Sequence, residues 1–258
     1  MKEFKSKWKN FIYFCYRLIA PIFDPLKFFR GIYGYCWFCA DVIKYKMRGG
    51  RERIFTINLF PQVHDKTPLT PFEIHNFFQE PWLFERVMTN RPAQHVDIGS
   101  TYTLCGYLSK IIPTVFLDIR PIDRKMKNLS VLAGDILKLP LENNAVVSLS
   151  CLHVIEHVGL GRYGDEINPG GMEQACRELA RVLKPGGRLY VTTPIGRDRL
   201  CFNSHRVTSV AKIKEYFGNL EILEFSLVDD AGSFHENVAL SLADTMHYAL
   251  GLFVFTKK

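Results

Sequence analysis

SCLHVIEHVG, residues 150–159, sets His153, Glu156 and His157 at i, i+3 and i+4. On a helix these positions share one face. Two histidines with a glutamate at this spacing are the make-up of a zinc site whose glutamate serves as base. The preceding residues point elsewhere. AVVSLSCL (145–152) is a short apolar run that reads as a buried strand. The two histidines therefore stand where a strand runs into the next helix, and no acid-bearing helix nearby completes a protease.

The rest of the chain from residue 94 repeats that pattern. QHVDIG, TVFLDI (114–119) and LSVLAGDI read as strands before it, with RLYVTTP, LEILEFSLV and the closing LGLFVFTKK after it. MEQACRELARVLKPGG is amphipathic, with Ala175, Leu179, Val182 and Leu183 on one face and Pro185-Gly186-Gly187 as its stop. VTSVAKIKEYFG reads as a second helix. Strands alternating with helices demand a parallel sheet covered on both faces. In such a sheet, ligands sit beyond the carboxyl ends of the strands, near the switch in strand order.

Those ends carry acids. The first strand closes on Asp97-Ile98-Gly99, where the glycine lets the backbone turn tightly beside a ligand. Twenty-one positions on, Asp118 ends the second strand, placed to accept hydrogen bonds from both hydroxyls of a ribose. The third runs into Gly134-Asp135-Ile136, where Asp135 is placed to accept from an adenine amino group while Ile136 and Ile119 pack its ring.

In this order, VDIGSTYTLCGYL, FLDIRP, LAGDILKLPLENNAVVSLSCLHVIEHV and ELARVLKPGGRLYVTTP resemble the class I S-adenosylmethionine-dependent methyltransferases. The resemblance covers about residues 90–258. HVIEHVGLGRYGD with PIGRDRLCFNSHRV further resembles the branch known as domain-of-unknown-function 268. It implies a Rossmann-like α/β fold, a mostly parallel seven-stranded sheet flanked by helices, with S-adenosylmethionine as cofactor. It assigns Asp97, Gly99 and Ser100 to the methionine and ribose end, Asp118 to the ribose, Ile119, Asp135 and Ile136 to the adenine, and Cys151 to the border of the reactive methyl.

One departure stands out. The family's loop after the first strand usually has two or three glycines, whereas GSTYTLCG offers Gly99 and then Gly106, with hydroxyls between. The same shortage argues against a pyrophosphate-bearing dinucleotide. It also supports the alternative of a non-catalytic methyltransferase-like binding module, against which the retained Asp97, Asp118 and Asp135 weigh.

Methyl transfer requires that the acceptor be aligned and relieved of one proton. The expected base is His153, with His205 and Arg206 of FNSHR facing the acceptor pocket and Arg206 suited to an anionic acceptor. Tyr163 and Asp165 are candidates for the same pocket wall. Some relatives hold a divalent metal with an acid-x-x-Glu-His set. The corresponding ligands here are His153, Glu156 and His157, with His205 as a fourth, a set suited to zinc, iron or manganese. The competing reading gives Glu156 and His157 only helix-capping and hydrogen-bonding roles.

Composition bounds the partners. Residues 1–50 hold ten Lys/Arg against Glu3, Asp24 and Asp41, an excess of seven that accounts for the whole net charge of +7. The same segment is crowded with aromatics, from Phe4 and Trp8 to Trp37, Phe38 and Tyr45. Its apolar runs are broken by Arg17, Pro21 and Asp41, so it reads neither as a spanning helix nor as a secretory signal. Residues 1–48 suit an anionic membrane surface or an amphipathic cap on the body. Nucleic acid is disfavoured because no basic patch continues beyond them. MRGGRER (47–53) reads as a linker, and residues 51–90 as linker and lead-in helices before the domain at 91–258. The seven cysteines include one close pair, Cys36 and Cys39, too few for a zinc ribbon. They suit a reducing, cytoplasmic setting. The family resemblance, rather than composition, implies a small-molecule or glycan acceptor.

Overall fold

The computed structural model describes residues 2–50, 52, 54 and 58–258, with side chains from position 8 onward except position 10. Arg51 and Arg53 of the expected linker lie outside the described residues, as do the side chains of Lys2, Lys5 and Lys7. The chain divides into two compact units, Met1–Phe72 and Glu73–Lys258.

The first unit holds helices α1 (Lys2–Ile19) and α2 (Pro25–Met47). Asp24 starts α2 by accepting from the amides of Leu26 at 2.9 Å and Lys27 at 3.1 Å, with Pro25 at the first helical position. Gly34 is buried because a Cβ there would stand 2.6 Å from Val63. Much of the remaining apolar surface faces outward. Trp8, Phe11, Ile12 and Tyr13 on α1 are exposed, as are Phe29 and Tyr33 on α2. Among the described residues, no helix is long and apolar enough to cross a membrane.

The second unit is an eight-stranded sheet in the order β3-β2-β1-β4-β5-β10-β8-β9, with a separate hairpin of β6 and β7. The strands are β1 (His95–Ile98), β2 (Thr114–Asp118), β3 (Leu129–Ala133), β4 (Val146–Leu152), β5 (Leu183–Ile195), β6 (Arg199–Cys201), β7 (His205–Val207), β8 (Leu220–Val228), β9 (Phe234–His235) and β10 (Ala249–Lys257). β1 to β5 are parallel, and β10 runs antiparallel between β5 and β8. The expected sheet had seven strands. The eighth is β9, a two-residue edge pairing Leu227 with His235 and Val228 with Phe234, too short to show in the hydrophobic pattern.

Four helices complete the unit: α3 (Ile74–Asn90), α4 (Tyr102–Leu108), α5 (Gly171–Val182) and α6 (Val210–Phe217). Alternation along the strands sends Leu149, Cys151, Leu189 and Val191 to one face, against Ala175, Leu179, Ile213 and Phe217 of α5 and α6. Tyr190, Leu252 and Val254 go to the other face, against Trp82, Leu83 and Leu104 of α3 and α4. Helix α3 thus belongs to the second unit rather than to a lead-in segment. Arg86 fixes it there, donating at 2.9 Å to both Glu224 and Glu236 and stacking on Trp82.

The order of strands reverses between β1 and β4, so the crevice for a ligand opens beyond Ile98 and Leu152. The expected helix after β4 is absent. His153 has φ +55°, a left-handed conformation that breaks the strand, and is followed by a single 3-10 turn, Ile155–His157. The next helix starts only at Gly171.

Candidate functional site

A cavity of about 700 Å³ lies beyond the ends of β1, β2 and β4. Of the residues singled out in the sequence, Gly99, Ser100, Asp118, Ile119, Asp135, Ile136, His153, His157, Tyr163 and Asp165 line it. Gly99 has φ +69°, and a Cβ there would stand 3.3 Å from both methyl groups of Val154. Asp118 is pre-set by the Arg120 amide, which donates to its Oδ1 at 2.6 Å, leaving Oδ2 beside the Gly99 turn. Asp135 is turned in the same manner by the Leu137 amide at 2.8 Å. Ser100 ties the turn to the end of β4, where its Oγ accepts from the Leu152 amide at 3.0 Å.

Asp97 and Cys151 are fully buried and do not line the cavity. The Asp97 carboxylate lies beneath the turn and accepts from the Ser100 amide at 3.0 Å and from the Ser150 hydroxyl. Ser150 also meets His95 Nε2 at 2.8 Å, and His95 Nδ1 meets Ser148 Oγ at 2.8 Å. Burial pushes Asp97 up to about 6 and His95 down to about 3. Asp97 thus supports the turn from below rather than facing a ligand. Gly106, the second glycine of the loop stretch, sits within α4 and adds nothing to the turn.

Residues expected on the acceptor side divide. Arg206 does not line the cavity. Its guanidinium donates to the carbonyls of Val158 at 2.6 Å and of Glu156 and Pro169 at 3.5 Å, so it braces the loop after β4 instead of waiting for an anion. His205 also stands outside the cavity wall, its Nδ1 2.8 Å from Ser204 Oγ and its ring 5.5 Å from that of Tyr248. Asp165 holds the loop, accepting from the amides of Gly159 at 2.7 Å, Tyr163 at 3.2 Å and Gly161 at 3.3 Å. Tyr163 is flanked by the guanidinium groups of Arg120 and Arg162 at 4.4 and 5.0 Å.

The metal set does not assemble. Among the described residues, no group of three or more His, Cys, Asp or Glu side chains is arranged to hold an ion. His153 Nδ1 and Glu156 Oε1 are 2.5 Å apart and bonded to one another, His157 Nδ1 donates to the Ser204 carbonyl at 2.5 Å, and His157 Nε2 is 3.7 Å from Glu156. These nitrogens answer protein partners rather than a common centre. Burial alone would depress His153, but the charge and hydrogen bond of Glu156 override it and hold the imidazole above its ordinary value. Burial would raise Glu156, and His153 in turn holds it below.

Sequence reasoning missed three contributors. His75 Nδ1 lies 3.1 Å from His153 Nε2, with the two rings nearly parallel. Gln79 accepts from the Thr192 hydroxyl, and Thr192 Oγ1 accepts from the His153 amide at 3.1 Å. Tyr248 leads into β10, its ring 5.7 Å from His75. His75 and Gln79 share the inner face of α3, at a four-residue spacing that any amphipathic helix shows. No local signal marks them.

With this geometry in hand, the chain can be set beside known proteins. Residues 142–240 match the family model described as "Caenorhabditis protein of unknown function, DUF268". A structure from Galdieria sulphuraria, described as a sarcosine dimethylglycine methyltransferase, superposes with TM-score 0.52 at 15% identity, over 83% of this chain and 97% of that one. The N-methyltransferase NodS of Bradyrhizobium japonicum, solved with S-adenosyl-L-homocysteine, gives TM-score 0.49 at 16% identity, over 76% and 91%. The chain has the class I methyltransferase fold. No curated protein matches it.

Proposed function

We propose that this methyltransferase-fold chain is an S-adenosylmethionine-dependent methyltransferase acting on a hydroxyl of a small or sugar-linked acceptor. The observation that carries the reading is the place of His153. It stands on the cavity wall at the switch in strand order, with a buried carboxylate on its Nδ1. The cavity suits the cofactor: its volume is in the range of a drug-sized ligand site, Asp118 offers a free oxygen, and the cradle at Gly99 is one a Cβ would crowd. When bound, the cofactor supplies an electrophilic methyl group on a sulfonium. Asp118 would hold its ribose, Asp135 and Ile136 its adenine, and the Gly99–Ser100 turn its methionine end. Glu156 holds the His153 ring with Nδ1 protonated, which leaves Nε2, 3.1 Å from His75 Nδ1, as the nitrogen that can take up a proton. A merely structural pair gains nothing from a carboxylate buried with one oxygen, Oε2, lacking a partner.

Calorimetry with S-adenosylhomocysteine tests the reading. Micromolar binding to the full chain is expected, weakened about 10- to 100-fold in Asp118→Ala. Absence of binding at millimolar ligand would reject it and favour the non-catalytic module.

We propose also that residues 1–48 rest on an anionic membrane surface. Their exposed Trp8, Phe11 and Phe29, together with the basic excess of the segment, fit an interfacial helix pair. Flotation of the full chain with phosphatidylserine vesicles, reduced by W8A/F11A and by 0.5 M salt, is expected. Equal flotation with neutral phosphatidylcholine and with the W8A/F11A variant would refute it.

A further inference from the structure

We infer that His75 is the proton acceptor of this site, passing each proton inward to His153. The inference rests on the methyltransferase reading above and names a residue on α3 to which neither the family match nor the fold points. The hydrogen-bond inventory of the cluster fixes its polarity. An ionised Glu156 can only accept, so the proton between it and His153 resides on Nδ1 of His153. Neutral His153 then has a lone pair on Nε2. The contact of 3.1 Å from His75 Nδ1 is a hydrogen bond only if His75 donates there. Neutral His75 must therefore carry its own lone pair on Nε2.

The atom of His153 that would serve as base is thus already covered, and the basic atom the pair leaves unpartnered is Nε2 of His75. It has no hydrogen-bond partner among the described residues, and it is not among the sealed, partnerless atoms, which are Trp82 Nε1, Glu156 Oε2 and Thr193 Oγ1. The Tyr248 ring stands 5.7 Å from that of His75 and 5.5 Å from that of His205, and none of these three lines the cavity that holds Asp118 and Asp135.

The balance is simple. As the acceptor oxygen bonds the methyl carbon, the carbon–sulfur bond breaks and its electron pair stays on sulfur. The acceptor proton goes to His75 Nε2, and the proton on His75 Nδ1 crosses to His153 Nε2. His75 ends neutral with its proton on the other nitrogen. The positive charge lost at sulfur reappears on His153, against the Glu156 carboxylate. The charged groups facing the pair are Glu73 and Glu156, with His157, His205 and Tyr248 as the remaining titratable neighbours.

Nitrogen-15 long-range correlation spectra of the full chain test this without an acceptor. Near pH 9, both His75 and His153 are expected in the Nδ1–H tautomer. On acidification, the first proton should make His153 doubly protonated while His75 stays neutral and switches to Nε2–H. A structural contact would instead charge His75 and leave its neighbour unchanged. That result, or an Nε2–H His75 at high pH, would overturn the relay. His75→Phe removes the donor and His75→Gln retains one, so His153 should keep its tautomer in both while its proton uptake uncouples from residue 75. S-adenosylhomocysteine calorimetry on the same samples separates the two claims. Binding with the wrong tautomers sinks the relay alone, whereas no binding removes the reaction it serves.

Discussion

The buried chain Ser148–His95–Ser150–Asp97 beneath the cavity turn allows a sharp test through Asp97→Asn. Asp97 has its carboxyl raised from 3.8 to about 6, chiefly by burial. A raised acid contributes stability that is fully present below pH 3.8 and is lost as pH rises through about 6. The two-unit difference amounts to roughly 3 kcal/mol. His95 acts in the opposite sense. Its value falls from 6.5 to about 3, so its contribution is present above pH 6.5 and is lost as pH falls toward 3. In the wild type the two slopes oppose one another across pH 4 to 6.

Asparagine keeps the Ser148–His95–Ser150 chain bonded if it reverses polarity: its amide donates to Ser150, Ser150 to His95, and His95 to Ser148. Only the Asp97 titration disappears. Urea unfolding of both proteins between pH 4 and 7.5, followed by circular dichroism, should show the variant gaining roughly 3 kcal/mol on the wild type over that interval. A difference flat within about 0.5 kcal/mol, or one of opposite slope, would refute the assignment. A carboxylate retained at such a cost suits a cationic ligand above it. D97N should accordingly weaken S-adenosylmethionine more than its product, which lacks the sulfonium charge.

Three further outcomes follow from single contacts. Asp118→Ala removes the oxygen that the Arg120 amide pre-orients, and should weaken S-adenosylhomocysteine by about 10- to 100-fold in calorimetry, as expected for a hydrogen bond to a charged group; a change below threefold would move the ribose elsewhere. Gly99→Ala forces a side chain into φ +69° and against Val154, so thermal unfolding should show a loss of about 1–2 kcal/mol, with product binding impaired as well. Arg206→Ala frees the carbonyls of Val158 and Glu156 and should cost about 2 kcal/mol while leaving product affinity within threefold. Lost binding at unchanged stability would return Arg206 to the ligand.

The sheet was legible because its strands are buried on both faces and their apolar runs are interrupted by turns at the points where acids stand. Asp118 and Asp135 could be placed by that rule alone. Asp97 stands at the same kind of position, yet its side chain turns down, because the Ser100 amide and the Ser150 hydroxyl claim both of its oxygens. Arg206 reads as an anion ligand in sequence and serves as a brace in the fold, since its carbonyl partners lie some forty to fifty residues away. The helical spacing of His153, Glu156 and His157 suggested a shared face. The contact between the first two is real, but it arises from a left-handed residue and a 3-10 turn. Sequence spacing gives the distance and not the backbone that spans it.

That left-handed residue joins the two halves of the site. A non-glycine residue at positive φ costs about 1–2 kcal/mol and persists only where its surroundings hold it. Here the His153 amide is held by the Thr192 carbonyl at 3.0 Å and by its hydroxyl, and Thr192 is held by Gln79 of α3. An extended conformation would carry the imidazole onward along the strand, off Glu156 and away from His75. The reversal turns the ring across the ends of β4 and β5, between the acid-lined cavity and the imidazoles facing Tyr248. The strand order supplies a crevice for any ligand; this one residue, locked from α3, lines that crevice and at the same time meets the His75 imidazole.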